Sequence, residues 1–259
     1  MPYRARPPSG LGKWERMADN CLAEHLGRFC VLGADERTAL DGLLMGERSF
    51  RKGAMIRTER DGSGEMFVVR RGWLYASMLL EDGRRQIIRF HLRGDLIGGD
   101  SLAFAEAPDT IVALTDCEVQ LIDKARFGRL FVDQPRLAAL LFAMLQVDRV
   151  QLTDRMTSLG RSSAKGRVAA LLLWIAQRVK VVDPSTGDRI PVPMTQEEIG
   201  DATGLTAVHV NRTMRALVEQ GLIERSSGAI RILDQSRLSR VANHVARKER
   251  LDTSWLPQG

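Results

Sequence analysis

Between Met194 and Leu217 the sequence specifies two helix starts and one obligatory turn in quick succession, and this segment limits the possible folds more than any other. Thr195 and Glu198 stand three residues apart as a capping box, in which each side chain satisfies an orphan amide at the start of a helix. Gly200 is small where a second helix must approach closely. Gly204 falls where the first helix must end, and its freedom at positive φ suits a tight turn. Thr206 is a suitable N-cap for the next helix. Val210, Met214, Leu217 and Val218 give that helix an apolar face, while Ala207, His209, Asn211, Arg212 and Arg215 occupy the other.

Helix, short Gly turn and helix, with polar and basic groups early on the second helix, is the arrangement that places side chains in a major groove. Helical hairpins with a Gly turn also occur in enzymes. The next fifteen or so residues separate the two readings. Glu219 to Glu224 leaves the helix and enters a strand, Ser226-Ser227-Gly228 makes a turn, and Ala229 to Leu233 returns. A hairpin directly after a recognition helix is a wing, whose tip can touch phosphates. The candidate DNA-contact residues are therefore Thr195, Gln196, Thr206, Ala207, Val208, His209, Asn211, Arg212, Arg215, Ser227 and Gly228. Arg212 can pair bidentately with guanine O6 and N7, and Asn211 can reach an adenine edge or a phosphate.

Upstream, a helical pattern runs from Pro135 to about Gly160. Ala138, Phe142, Leu145, Leu152, Met156 and Leu159 form one seam, with Arg149 the single charge on it, and Leu137, Leu141 and Met144 form a second face. Two apolar stripes suit a helix packed both on its own domain and on a second chain. A helix buried between two domains of one monomer is the alternative. A further helix is expected over roughly Ser162 to Val179.

Before Pro135 the pattern is different. A short helical stretch, Asp35 to Met45, gives way to strand-like runs at Met66–Val69, Leu74–Leu80, Gln86–Leu92, Ile111–Leu114 and Glu118–Asp123. Turn signals separate them, and Asp82-Gly83 between two such runs marks a hairpin. Closely spaced strands with Gly at the corners predict a small β-barrel or roll. The basic, Pro-rich start of the chain reads as a mobile arm to about residue 20. It lacks the apolar core of a secretory signal, and no run approaches the length of a membrane helix. A cytoplasmic protein without membrane contact is expected. Net charge is +6, which favours a polyanionic partner only weakly. Three scattered cysteines, Cys21, Cys30 and Cys117, do not form a disulfide framework.

Thr-Gln-Glu-Glu-Ile-Gly at 195–200, Gly-Leu-Thr at 204–206, Arg212 and Gly-Leu-Ile at 221–223 resemble the DNA-binding domain of the CRP/FNR superfamily. Gly94 to Gly98, Cys117 to Val119 and the long helix resemble its cyclic-nucleotide-binding-like sensor domain and its dimerisation helix. The resemblance covers roughly Ala34 to Ala246. It implies an α+β chain: an N-terminal β-barrel sensor domain over 21–134, a dimerisation helix over 135–160, a winged helix-turn-helix over 161–246 and a tail over 247–259. It also implies a homodimer on a palindromic stretch of double-stranded DNA, with RNA polymerase as a further partner. A ligand- or redox-sensing module acting through protein contacts is the alternative.

Three departures from the family pattern shape the expectations. Where cAMP-binding members carry a ribose-binding Glu and a phosphate-binding Arg-Ser pair, this chain has Gly99 and, at about the second position, Asp109-Thr110. An acidic group facing a phosphate is electrostatically wrong, so no cAMP binding is expected. The effector-pocket candidates are Gly98, Gly99, Asp100, Ser101, Asp109 and Thr110. Cys21 and Cys30 keep the outer spacing of the iron–sulfur ligands of oxygen-sensing members, but about Glu24 replaces the middle cysteine, and Cys117 is not at the fourth-ligand position. No metal or other cofactor is expected. Finally, Val208 stands where the family's recognition helix usually carries Glu, so the half-site should differ.

Gly99-Asp100-Ser101-Leu102 spells a hydrolase nucleophile block, but the activating Asp-x-x-His is missing: Val241 and Thr206 precede His244 and His209 at that spacing. No catalytic residue is expected. Arg70-Arg71, Arg84-Arg85 and the 247–250 run read as solvated charge.

Overall fold

The computed structural model describes residues 20–62, 64–243 and 252–257. Most of the expected N-terminal arm and the 247–250 basic run lie outside them. Asn20, placed in the arm from sequence, is instead buried: its side chain caps α1 (Cys21–Leu26) and its amide reaches Asp41. Helix α2 spans Ala34–Asp41 and stops there, because residues 44–50 are strand β1 (Leu44–Phe50), not the helical continuation expected to Met45.

The remaining strands of the N-terminal unit are β2 (Met55–Arg57), β3 (Met66–Arg71), β4 (Leu74–Leu79), β5 (Arg85–His91), β6 (Leu96–Ile97), β7 (Thr110–Ala113) and β8 (Cys117–Ile122). They form two four-stranded sheets, ordered β1-β8-β3-β6 and β2-β7-β4-β5, with antiparallel pairing throughout. Phe67, Val69, Leu74, Ala76, Ile111 and Val119 from both sheets make a shared core, in which each large side chain contributes about 1.5–3 kcal/mol by burial. The β4–β5 hairpin turns through Gly83 at positive φ, as its Asp-Gly pair predicts.

Helix α3 (Lys124–Asp133) leads into α4 (Pro135–Arg161), where Pro135 takes the first helical position. The two stripes of α4 behave differently. Leu137, Leu140 and Leu141 are buried against the N-terminal helices, whereas Phe142, Leu145, Leu152 and Met156 are exposed along the seam. Helix α5 (Ala164–Val182) is apolar without a break from Val168 to Ala176 and forms the spine of the C-terminal unit.

That spine shares one core with the second sheet of the roll: Tyr75, Ile87 and Phe90 pack with Val168, Leu172 and Ile175. Polar ties reinforce the junction. Arg178 on α5 forms a buried ion pair with Asp95 of the roll, and Arg28 donates to the carbonyl of Val182. Arg155 on α4 donates to the carbonyls of Ile87 and Ala202 at 2.8 and 3.0 Å. Arg85, read as solvated from sequence, pairs with Asp201 at 2.6 Å and stacks on Tyr75. Arg70 and Arg71 are engaged with Glu47 and Glu118. The chain's end returns to the roll, where Leu256 is buried with Leu26, Leu40 and Leu140.

Candidate nucleic-acid interface

Helix α6 (Gln196–Thr203) opens with the reciprocal cap: Thr195 Oγ1 accepts from the Glu198 amide at 3.2 Å, and Glu198 accepts from the Thr195 amide at 2.7 Å. Gly204 closes it in the left-handed region at φ 64°, which an L side chain enters only with strain. Gly200 allows the turn to fold back, since a Cβ there would lie 2.4 Å from the Leu205 carbonyl oxygen. The crowding comes from the turn itself, not from a second helix as expected. Thr206 then caps α7 (Ala207–Glu219) through the His209 amide.

Val210, Met214 and Leu217 bury the inner face of α7, but Val218, expected among them, is largely exposed. The outer face holds together the predicted contact residues. Thr206, Ala207, Val208, Arg212 and Arg215 are exposed, and His209 and Asn211 half-buried, all on the first turns of α7. Val208 is 81% exposed, which leaves its branched apolar side chain open to contact with a thymine methyl. Among the described residues no carboxylate lies within ion-pair distance of Arg212 or Arg215. The free amides at the start of α7 add to the positive field there.

Thr195 is exposed and Gln196 half-buried at the start of α6, apart from the α7 group in sequence. Ser227 and Gly228 sit exposed at the turn between β10 (Ile223–Ser226) and β11 (Ala229–Ile232). A third strand, β9 (Arg189–Pro191), pairs with β11 and steadies the wing. Sequence reasoning missed it because two prolines, Pro191 and Pro193, read as a stop; Pro191 is tolerated at the end of an edge strand. Helix α8 (Gln235–Ala242) packs back on α5, where Gly166 lets the Val241 carbonyl approach closely.

The effector-pocket candidates form a different kind of place. Gly98 precedes a short 3-10 turn, Gly99–Leu102, that carries Asp100 and Ser101, and Asp109 and Thr110 lead into β7. Arg57, which sequence reasoning did not single out, is 5% exposed and holds both Asp100 and Asp109. Against the burial that would lower it, hydrogen bonds to the two carboxylates raise the Arg57 pKa. Burial raises the Asp109 carboxyl above its usual range. Thr110 is spent on the Glu59 amide. Ser101 Oγ is buried without a hydrogen-bond partner among the described residues, so no histidine there is placed to activate it.

Among the described residues no cluster of three or more His, Cys, Asp or Glu side chains could hold a metal ion. Burial raises the pKa of Cys21 and of Cys30, and pushes Cys117 up to about 11. No single helix among the described residues is long and apolar enough to cross a membrane.

A strand roll, one long helix and a winged helix-turn-helix with an open reading face define a two-part regulator of DNA. Residues 166–241 match the Crp-like helix-turn-helix domain family and residues 47–134 the cyclic nucleotide-binding domain family. The chain is 34% identical to the nitrogen fixation regulation protein FixK of Bradyrhizobium diazoefficiens over 194 residues, covering 74% of this chain and 80% of that protein. It is 28% identical to the transcriptional activator protein FnrA of Stutzerimonas stutzeri, covering 86% of this chain and 92% of that one. The solved structure of FixK2 from Bradyrhizobium japonicum superposes with a TM-score of 0.71 at 29% identity, over 79% of this chain and all of that one. The chain belongs to the CRP/FNR family of transcription regulators, as the motifs at 195–223 imply, and its helix-turn-helix is DNA-binding.

Proposed function

We propose that the chain grips a palindromic operator as a homodimer, laying the start of α7 in the major groove of each half-site. The observation that carries this reading is the outer face of α7, where Arg212 and Arg215 are held out with no carboxylate among the described residues within ion-pair distance. Arg212 reads a guanine, Asn211 an adenine edge or a phosphate, and Val208 a thymine methyl. Thr195, Gln196 and the wing tip, Ser227 and Gly228, fix the register on phosphates, while Thr206, Ala207, His209 and Arg215 complete the contact surface. The seam Phe142, Leu145, Leu152 and Met156 on α4 meets its copy, which sets the half-sites about 34 Å apart.

Occupancy of the operator then regulates transcription by touching or blocking RNA polymerase. Residues 21–134 serve as the sensor unit, without cAMP, because Arg57 already satisfies the two carboxylates where a cyclic phosphate would sit. Selection of bound duplexes from a random pool tests the reading. Two-fold-related half-sites are expected, with affinity falling steeply as salt rises. Failure to enrich any sequence would defeat it.

A further inference from the structure

We propose that the carbonyl end of α6 is a clamp through which the roll, α4 and α5 jointly set the angle of the reading helix, with Gln86 and Arg155 as its positioning residues. The proposal rests on the operator reading above. An α-helix leaves its last carbonyls without amides of its own. In α6 those of Asp201, Ala202 and Thr203 are each taken by a side chain from a different element. Gln86 Nε2 on β5 donates to the Asp201 carbonyl at 2.7 Å, and Arg155 Nη2 on α4 donates to that of Ala202 at 3.0 Å. Arg167 Nη1 on α5 donates to that of Thr203 at 2.9 Å.

The neighbouring contacts tighten the same point. β5 is the edge strand of its sheet, and α6 packs beside it. Arg155 Nη2 also donates to the Ile87 carbonyl of β5 at 2.8 Å, so one nitrogen joins the strand to α6. Arg85, next to Gln86, pairs with the Asp201 carboxylate at 2.6 Å. The chain then turns at once: a Cβ at Gly204 would lie 3.2 Å from Arg167 Nη1, and α7 starts at Ala207.

Apolar packing alone does not fix this angle. Val210, Met214 and Leu217 share a core with Val168 and Leu172 of α5, but burial is non-directional and tolerates a tilt. Hydrogen bonds weaken steeply once misaligned. The core therefore keeps α7 in place, and the clamp decides where its first turn points. Two of the three donors come from the units assigned above to sensing and to pairing. A shift of β5 against α4 thus reaches the Gly204 turn directly, and with it the half-site spacing that two reading helices accept.

Gln86→Glu keeps the side chain's shape and removes its donors, and Arg155→Met removes the guanidinium at similar length. Fluorescence anisotropy of the full-length protein is read on duplexes whose two selected half-sites are moved together or apart by one and two base pairs. Wild-type protein should favour one spacing. Each variant should bind that spacing about tenfold more weakly, the worth of one hydrogen bond, and the preference should shrink by a similar factor. An equal loss at every spacing is what lowered stability alone would give, and it would overturn the proposal. Arg155→Lys, which retains a donor, should restore the preference. Arg84→Gln should leave it unchanged, since that guanidinium is tied to Asp82 within its own hairpin. Hydrogen exchange needs no operator and so separates this proposal from the operator reading. Amides 201–210 should exchange about tenfold faster in both variants while those of α5 keep their rates. A wild-type protein that selects no spaced pair would defeat the operator reading and leave exchange to decide the clamp; unchanged exchange across 201–210 would overturn it.

Discussion

Arg57 lies inside the roll, 5% exposed, with Asp100 at 2.9 Å on one side and Asp109 on the other. Arg212 stands early on α7 in solvent, with no carboxylate in reach among the described residues. The first guanidinium is satisfied within the fold; the second is left for something outside it. A pocket whose cation is already matched by two carboxylates has no electrostatic demand for a phosphate, whereas a helix face with unmatched cations has one. The same residue type is thus a structural tie in one unit and, in the proposed function, a base-reading element in the other.

Substituting each arginine by alanine should separate the two roles most strongly. Arg57→Ala strands two carboxylates in a largely buried place, at a cost of about 3–5 kcal/mol in unfolding free energy. Arg212→Ala, on an exposed helix face, should change it by less than about 0.5 kcal/mol. Urea unfolding of both variants decides this, and equal losses would erase the contrast.

Acidification tests how completely the interior polar groups of the roll are closed off. His25 on α1 and His91 on β5 face Asp95, Arg178 and Arg89, and each has an Nδ1 buried with no partner among the described residues. Burial lowers the His25 pKa to about 4 and the His91 pKa to about 3. The unfolded chain therefore binds more protons than the folded one once pH falls below roughly 6.5, and stability falls with it. Between pH 7 and pH 5 each histidine should cost ~2 kcal/mol. Replacing either by Gln should flatten the pH dependence of the urea midpoint; an unchanged slope would assign the acid sensitivity elsewhere.

On the other side of the comparison, Arg212→Ala should lose about 1–3 kcal/mol of operator affinity and relax one base position of the half-site. Arg215→Ala, if that side chain meets phosphate, should weaken all duplexes alike and shrink the salt slope by about one. Fluorescence anisotropy against the selected duplex and single-base variants distinguishes the two patterns.

The two regions also differ in how far the sequence disclosed them. The helix-turn-helix was legible nearly to the residue, because caps and turns are local: Thr195, Glu198, Gly204 and Thr206 act within three or four positions of themselves. The wing's third strand and the burial of Leu256 were not legible, since both depend on partners far along the chain. Arg57, Arg85, Arg155 and Arg178 escaped for the same reason. Each is tied to a group at least 43 residues away, and nothing in a run of charge says which arginine will be folded inward. The acidic residue at Asp109 was read from sequence only as unsuited to a phosphate; that Arg57 would hold it together with Asp100 was not legible. Val218 was misplaced by one helical step: the apolar stripe on α7 is narrower than its pattern, and the stripe's edge lies open beside Arg215.

The smallest expected effect falls where a local device supports the reading face without touching it. Thr195→Ala removes the hydroxyl that accepts from the Glu198 amide, and leaves Glu198 holding the Thr195 amide alone. N-cap losses of this kind cost about 1 kcal/mol. If the Thr195 hydroxyl also meets a phosphate, operator affinity should drop by more than global stability accounts for at 25 °C, and Thr195→Ser should restore both. Loss of stability in the alanine variant with operator affinity unmoved would confine Thr195 to capping and place the phosphate contact on Gln196 and the wing.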